Sequence, residues 1–97
     1  MIPKNYEEFQ ESLNGQLLPD NWSLPLQALW YDAKGDWESS HDIAQDIHSP
    51  MGSWIHAYLH RKEGDRWNAQ YWYNHADRPF PDYSLSDELR VLVENNL

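Results

Sequence analysis

Ala-Leu-Trp-Tyr-Asp-Ala-Lys-Gly-Asp at residues 28–36 is echoed by Ala-Tyr-Leu-His-Arg-Lys-Glu-Gly-Asp at residues 57–65, a shift of 29 positions. The leading alanine and the closing Gly-Asp pair are shared, and Pro50 and Pro79 keep the same spacing. A repeat of this length, spanning two helix-length segments, is typical of stacked helical hairpins. The sequence therefore predicts a helical-repeat architecture rather than a fold with a readable catalytic motif.

The two Gly-Asp pairs have the chemistry of a tight corner between helices. Gly35 can adopt the left-handed conformation that ends a helix, and Asp36 can cap the helix that follows. Gly64 and Asp65 repeat this arrangement. Capping residues and apolar spacing elsewhere predict further helices. The predicted helices are Tyr6–Asn14, Leu24–Lys34, Trp37–Ile47, Met51–Glu63, Arg66–Ala76 and a last one that begins after Ser84 and has Leu85, Leu89, Leu92 and Val93 inward.

The predicted buried positions of the two hairpins coincide after the 29-residue shift. In the first helices they are Leu26, Leu29 and Trp30, and Ile55, Tyr58 and Leu59. In the second helices they are Ser40, Ile43, Ala44 and Ile47, and Ala69, Trp72, Tyr73 and Ala76. We therefore predict an all-α fold with two stacked αα-hairpins, tetratricopeptide-like, between an N-terminal helix and a C-terminal capping helix. One domain would comprise residues 1–22 (helix and linker), 23–48 and 49–79 (hairpins), and 80–97 (Pro-rich segment and cap).

Composition narrows the range of partners. The net charge of −9, with 16 acidic against 7 basic residues, argues against nucleic acid and anionic membranes, because phosphate binding needs clustered lysine and arginine. The chain has no cysteine, which excludes disulfides and thiolate chemistry. Its first residues lack an apolar leader, and it has no apolar run of membrane-spanning length. We expect a cytoplasmic protein.

The same region carries a family resemblance. Residues 28–37 contain Ala-Leu-Trp and Asp-Ala-Lys-Gly-Asp-Trp, residues 54–65 read Trp-Ile-His-Ala-Tyr-Leu-His-Arg-Lys-Glu-Gly-Asp, and Tyr-Trp-Tyr at 71–73 precedes Arg78-Pro79. Together these blocks resemble a family of small uncharacterised bacterial proteins with tetratricopeptide-like hairpins. The resemblance covers a little over half of the chain and implies an all-helical fold, but it implies no activity.

One group of residues has the spacing of metal ligands. His56 and His60 are four residues apart on one predicted helix, and Glu63 follows one turn later, so the three share a face. His41 or His48 of the preceding helix could supply another ligand. A site for a divalent metal or a small molecule centred on His56, His60 and Glu63, with His41, is therefore one hypothesis. The alternative is that these histidines are half-exposed and hydrogen-bonded to neighbours.

A second hypothesis, which the sequence favours over the metal site, uses aromatic rings that fall outside the predicted buried positions. Tyr31, Trp67 and Tyr71 are such rings, and exposed aromatic side chains often anchor a protein partner. With the acidic charge, they predict a non-enzymatic module that binds a protein or peptide, a basic one by preference. Alternatively, the first helix, the Pro-rich segment or a second subunit of a homodimer covers them. No catalytic residue and no obligatory cofactor are predicted.

Overall fold

A computed structural model describes residues 2–97 of the chain, and within this range the regular secondary structure is helical. The helices are α1 (Tyr6–Ser12), α2 (Leu24–Ala33), α3 (Trp37–Gln45), α4 (Pro50–Lys62), α5 (Arg66–His75) and α6 (Leu85–Glu94). The predicted all-α class is confirmed. No helix in the described part of the chain combines the length and apolar character needed to cross a membrane.

Each helix begins at a side chain that accepts a hydrogen bond from a backbone amide of the first turn. This interaction satisfies one of the amides that have no partner within the helix. The capping residues are Asn5, Ser23, Asp36, Ser49, Asp65 and Ser84. Local sequence therefore determines where the helices start.

Several helix ends were predicted too far along the chain. The helix α1 ends at Ser12 rather than Asn14, and α3 ends at Gln45 rather than Ile47. The amides of Asp46 and Ile47 bond to carbonyls three residues back, so the chain tightens and then leaves the helix. Ile47 is half-buried in the following loop, against Gly52 of α4. A Cβ at Gly52 would lie 2.7 Å from the Cβ of Ile47, so the close approach requires glycine there.

The two Gly-Asp corners have matching backbone geometry. Gly35 has φ +88° and Gly64 has φ +86°, both in the left-handed region that glycine tolerates. At each corner the aspartate amide donates a 2.9 Å hydrogen bond to the carbonyl five residues back, that of Tyr31 or of His60. The helix α2 packs against α3, and α4 packs against α5. The helix α4 packs in addition against both α3 and α2, so these contacts join the four helices to one another.

The core is built largely from the predicted apolar positions of α2 and α4. It contains Leu26, Leu29 and Trp30 of α2 and Ile55, Tyr58 and Leu59 of α4, all at most 2% exposed. From α5, Ala69 and Tyr73 are buried, and Trp72 is half-buried; Ala76, which follows the last residue of α5, is also buried. Leu92 and Val93 of α6 close the core from the other side.

Two buried carboxylates were not predicted. Glu88 of α6 is fully buried and accepts hydrogen bonds from Trp54 Nε1 (3.1 Å), Tyr73 OH (2.6 Å) and Arg61 Nη1 (2.7 Å). These donors lie on α4 and α5, so the carboxylate fixes α6 to both helices. Burial is the main reason that the pKa of Tyr73 is raised, and the Glu88 carboxylate adds to it.

Asp32 is the other buried carboxylate, and it joins α2 to α4. Its side chain accepts hydrogen bonds from Tyr58 OH (2.7 Å) and Lys62 Nζ (2.9 Å). A buried charge is tolerated when it is both paired and hydrogen-bonded, as here. The packing of α2 on α4 is thus polar at one end and apolar along the rest.

Candidate metal centre

Three histidines from two adjacent helices meet at the contact of α3 with α4. His41 lies on α3, and His56 and His60 lie one turn apart on α4. The Nε2 atoms of His41 and His56 are 3.0 Å apart, and one ligand nitrogen from each histidine lies within 4.8 Å of the others. We call His41, His56 and His60 the histidine cluster. Its members were named from the sequence, and the packing of α3 on α4 brings them together.

Two tryptophans enclose the histidine cluster. Trp37 stacks on the ring of His41 with centroids 4.8 Å apart, and Trp72 stacks on His56 at 4.1 Å. The indole nitrogen of Trp37 donates a 2.9 Å hydrogen bond to the carbonyl of Leu59, which fixes the orientation of that ring. The imidazoles therefore have little rotational freedom, as preorganised ligands require.

Glu63 contacts the cluster through His60. Its Oε1 atom lies 2.6 Å from Nδ1 of His60. A carboxylate at Nδ1 selects the tautomer with the proton on that atom, and Nε2 then keeps its lone pair for a metal. Glu63, which the sequence predicts as a ligand, contacts His60 and is not a member of the histidine cluster. The carboxylate of Asp65 also lies close enough to form a second group with His60 and Glu63.

The buried environment favours the neutral form of these imidazoles. Burial, and then proximity to His41 and His60, lowers the pKa of His56 to about 4. Burial also lowers the pKa of His41, an effect that the nearby carboxylates of Asp42 and Glu63 oppose. Neutral imidazole is the form that binds metals, so at neutral pH these side chains need lose no proton to the solvent before coordination.

His48, which the sequence offers as an alternative to His41, lies outside the histidine cluster. It is exposed and follows the end of α3, where it lines an open cleft of about 430 Å³ together with His56, Trp72 and His75. His48 follows His41 by seven residues, so the two would lie on the same side of α3 only if that helix continued to residue 48. The helix ends at Gln45, and this explains the difference.

The sequence pairs Trp37 with His41 only as a possible acid/base pocket, and it does not place Trp72 beside the histidines. Trp72 was assigned only to the buried face of α5, whereas Trp37 precedes His41 by one helical turn. A spacing of four residues on a helix predicts that two side chains contact each other, so the sequence alone indicates that Trp37 and His41 stack. The contact of Trp72 with His56 depends on how α4 meets α5, which the local sequence does not specify.

The aromatic residues of the second hypothesis divide between two places. Trp67 is 76% exposed and Tyr71 is 45% exposed on α5, and their rings are nearly parallel with centroids 6.3 Å apart. Tyr31 is half-buried on α2, where it packs edge-on against Trp30. Among residues 2–97, no ring contact joins Tyr31 to the α5 pair.

Comparison of the chain with protein-family models, curated proteins and solved structures finds no match. The resemblance to a small bacterial family therefore stays a prediction from the sequence blocks, and the functional argument depends on the geometry alone.

Proposed function

We propose that the protein binds a divalent transition-metal ion through His41, His56 and His60. The observation that carries this proposal is the convergence of three imidazole nitrogens within 4.8 Å of one another. Imidazole suits zinc, copper, nickel and iron, and the Irving–Williams order favours copper(II) among them. Histidine sets of this kind coordinate zinc at about 2.0–2.1 Å per nitrogen.

The spacing of the nitrogens supports the proposal. Two imidazoles on one tetrahedral zinc ion have nitrogens roughly 3.3 Å apart, from the usual zinc–nitrogen distance. The Nε2 atoms of His41 and His56 are 3.0 Å apart, close to that value. The ligand atom of His60 lies within the same 4.8 Å group, so it must move closer to the other two nitrogens to complete a three-nitrogen set.

Binding has a defined proton requirement. At 3.0 Å, one of the two Nε2 atoms of His41 and His56 carries the hydrogen and the other accepts it. A metal needs both lone pairs, so the ring that carries the hydrogen on Nε2 must shift it to its own Nδ1 atom. The ion must therefore replace a hydrogen bond, but it need not release a proton to the solvent.

Three protein ligands leave a coordination position for water or another molecule, as in metal sites that bind or activate ligands. His60 is partly buried and Glu63 is more exposed, with side chains 12% and 38% accessible. An ion could thus enter from the side of His60 and Glu63. The chain's own contribution is to orient the imidazoles through Trp37, Trp72 and Glu63 and, by burial, to favour the neutral form of His41 and His56.

Calorimetric titration with Zn²⁺ and Cu²⁺ tests the proposal, together with thermal melting in the same buffers. One ion should bind per chain, and free metal at a hundred times its Kd should stabilise the fold by about 2.7 kcal/mol. Glu63→Gln should weaken binding about 10-fold or more, as loss of an orienting carboxylate does. His41→Ala and His60→Ala should weaken binding further, because each removes a ligand.

His48→Ala is the matched control, since it removes an exposed imidazole that lies outside the cluster. It should bind as the wild type does. Wild-type affinity in both His41→Ala and His56→Ala would refute the proposal. Retained binding in these variants combined with loss in Asp65→Asn would instead place the ion on the group formed by His60, Glu63 and Asp65.

We also propose that residues 24–47 and 53–76 are two copies of one helical hairpin. The matching Gly-Asp corners and the packing of α2 on α3 and of α4 on α5 support this. The positions of the first copy that correspond to His56 and His60 are Gln27 and Tyr31, so the metal ligands on α4 have no counterpart there. Failure of the two segments to superimpose in an experimental structure would contradict the duplication but leave the metal proposal intact.

A further inference from the structure

The helix α5 exposes a row of aromatic rings that the metal proposal does not use. Trp67, Tyr71 and His75 follow one another at intervals of four residues and therefore lie on one side of the helix. The rings of Trp67 and Tyr71 are 6.3 Å apart, and those of Tyr71 and His75 are 4.4 Å apart. All three side chains are exposed. We call these three residues the ring row.

The ring row is about 12 Å long, because eight residues of helix rise about 1.5 Å each. Trp67 is unusual within it, since an indole that is 76% exposed leaves most of a large apolar surface in water. The exposed parts of Trp67 and Tyr71 can therefore be covered by a partner without rearrangement of the core.

The basic side chains of this protein are already engaged with other rings. Five of the seven lysines and arginines lie over an aromatic ring of the same chain. On either side of the ring row, Arg66 lies 4.1 Å from the Phe80 ring centroid and Arg78 lies 3.4 Å from that of Trp54. Within residues 2–97, no basic side chain lies over Trp67 or Tyr71.

Carboxylates lie at the start of the ring row. Glu63 and Asp65 occupy the corner directly before α5, four and two residues ahead of Trp67. They belong to a chain of net charge −9. The surface thus offers the largely exposed indole of Trp67 and the partly exposed ring of Tyr71 on an acidic protein, which is the combination that attracts a guanidinium or ammonium group.

We propose that the ring row binds a segment of a partner protein that carries arginine or lysine side chains, with the cations placed over Trp67 and Tyr71. A second copy of this chain is the disfavoured occupant, because two chains of charge −9 repel each other and neither has a free basic cluster to offer. The proposal does not require a bound metal.

A fluorescein-labelled synthetic peptide of alternating arginine and serine tests the proposal by fluorescence anisotropy, in a buffer with EDTA. The same peptide with citrulline in place of arginine keeps the size and the planar head group but removes the charge, with a carbonyl oxygen in place of one nitrogen donor group. We expect saturable binding of the arginine peptide, and at least a 10-fold weaker interaction with the citrulline peptide.

Variants that leave the net charge unchanged distinguish binding by the ring row from general electrostatic attraction of the peptide to an acidic protein. Trp67→Ala and Tyr71→Ala should each weaken binding of the arginine peptide about 2- to 5-fold, the effect expected for loss of an exposed cation–π contact. Leu17→Ala is the matched control, because Leu17 is 84% exposed and lies outside the ring row. It should bind as the wild type does.

Equal affinity of Trp67→Ala, Tyr71→Ala and the wild type would overturn the proposal, and so would equal affinity for the citrulline peptide. Sedimentation equilibrium of the wild type and Trp67→Ala gives an independent test. A wild-type dimer that dissociates in Trp67→Ala would assign the ring row to self-association and would also overturn the proposal. Since both rings are exposed, unchanged circular dichroism of the variants should verify that they fold.

Discussion

The buried imidazole of His56 makes the stability of the protein depend on pH in a direction that can be worked out. His56 is 7% exposed and stacks between Trp72 and His60, and its pKa in the folded chain is about 4. In the unfolded chain the pKa returns to its ordinary value near 6.5. Because the folded pKa is the lower one, the unfolded chain takes up a proton first as the pH falls.

The contribution of His56 to the free energy of unfolding is therefore fully present above pH 6.5, and it decreases as the pH falls from 6.5 to 4. Each unit of pKa difference corresponds to about 1.4 kcal/mol. The loss should reach about 2 kcal/mol at pH 5 and about 3 kcal/mol below pH 4, where it levels off because both states are then protonated. Carboxylates also titrate at the lower end of this window, so the effect of His56 must be isolated by comparison.

Urea unfolding followed by circular dichroism, at intervals between pH 4 and pH 8, measures the effect in the wild type and in His56→Gln. The difference in unfolding free energy between the two proteins should shrink by about 2 kcal/mol from pH 7 to pH 5, because glutamine does not titrate. His48→Gln, which removes an exposed imidazole, should follow the wild type at every pH. A wild-type–His56→Gln difference that is constant from pH 7 to pH 5 would refute the reasoning.

Two further predictions concern stability at neutral pH. Glu88→Gln should destabilise the protein by about 2–3 kcal/mol in urea unfolding, because the buried interaction with Arg61 loses its charge. Glu94→Gln, on the exposed side of α6, should cost less than about 1 kcal/mol. Similar costs for both variants would show that the Glu88 contacts contribute little. Gly64→Ala should lower the melting temperature by several degrees, since φ +86° is unfavourable for alanine. Gly15→Ala is the control and should leave the melting temperature unchanged. An unchanged melting temperature for Gly64→Ala would contradict the left-handed backbone conformation at this corner.

Local features of the fold were predictable because they depend on neighbouring residues. The caps at Asp36 and Asp65 and the glycines before them are specified within a few positions. The exposure of Trp67 was also predictable, because it lies off the apolar positions of its own helix. In these cases the periodicity of a single helix contains the required information.

Interactions between segments that are distant in the sequence could not be predicted from local periodicity. Glu88 lies three residues after Leu85 and four before Leu92, on the apolar side of α6, but its donors Trp54 and Tyr73 are 34 and 15 residues away in the sequence. Their hydrogen bonds outweigh the usual preference of a carboxylate for water only after α6 docks. Similarly, the choice of His41 over His48 depended on where α3 ends, and helix ends are the least certain part of any prediction from sequence.

The indoles stacked on the histidine cluster give the protein a built-in optical signal. Trp37 and Trp72 are in van der Waals range of His41 and His56, so their excited states will be quenched when an adjacent imidazole is protonated or when a paramagnetic ion such as Cu²⁺ is coordinated. The buried Trp22, Trp30 and Trp54 and the exposed Trp67 are not among the tryptophans stacked on these histidines, and they supply a background of emission on the same chain. A change in emission on adding Cu²⁺ that is lost when Trp37 and Trp72 are replaced by phenylalanine therefore reports the state of the cluster without any label.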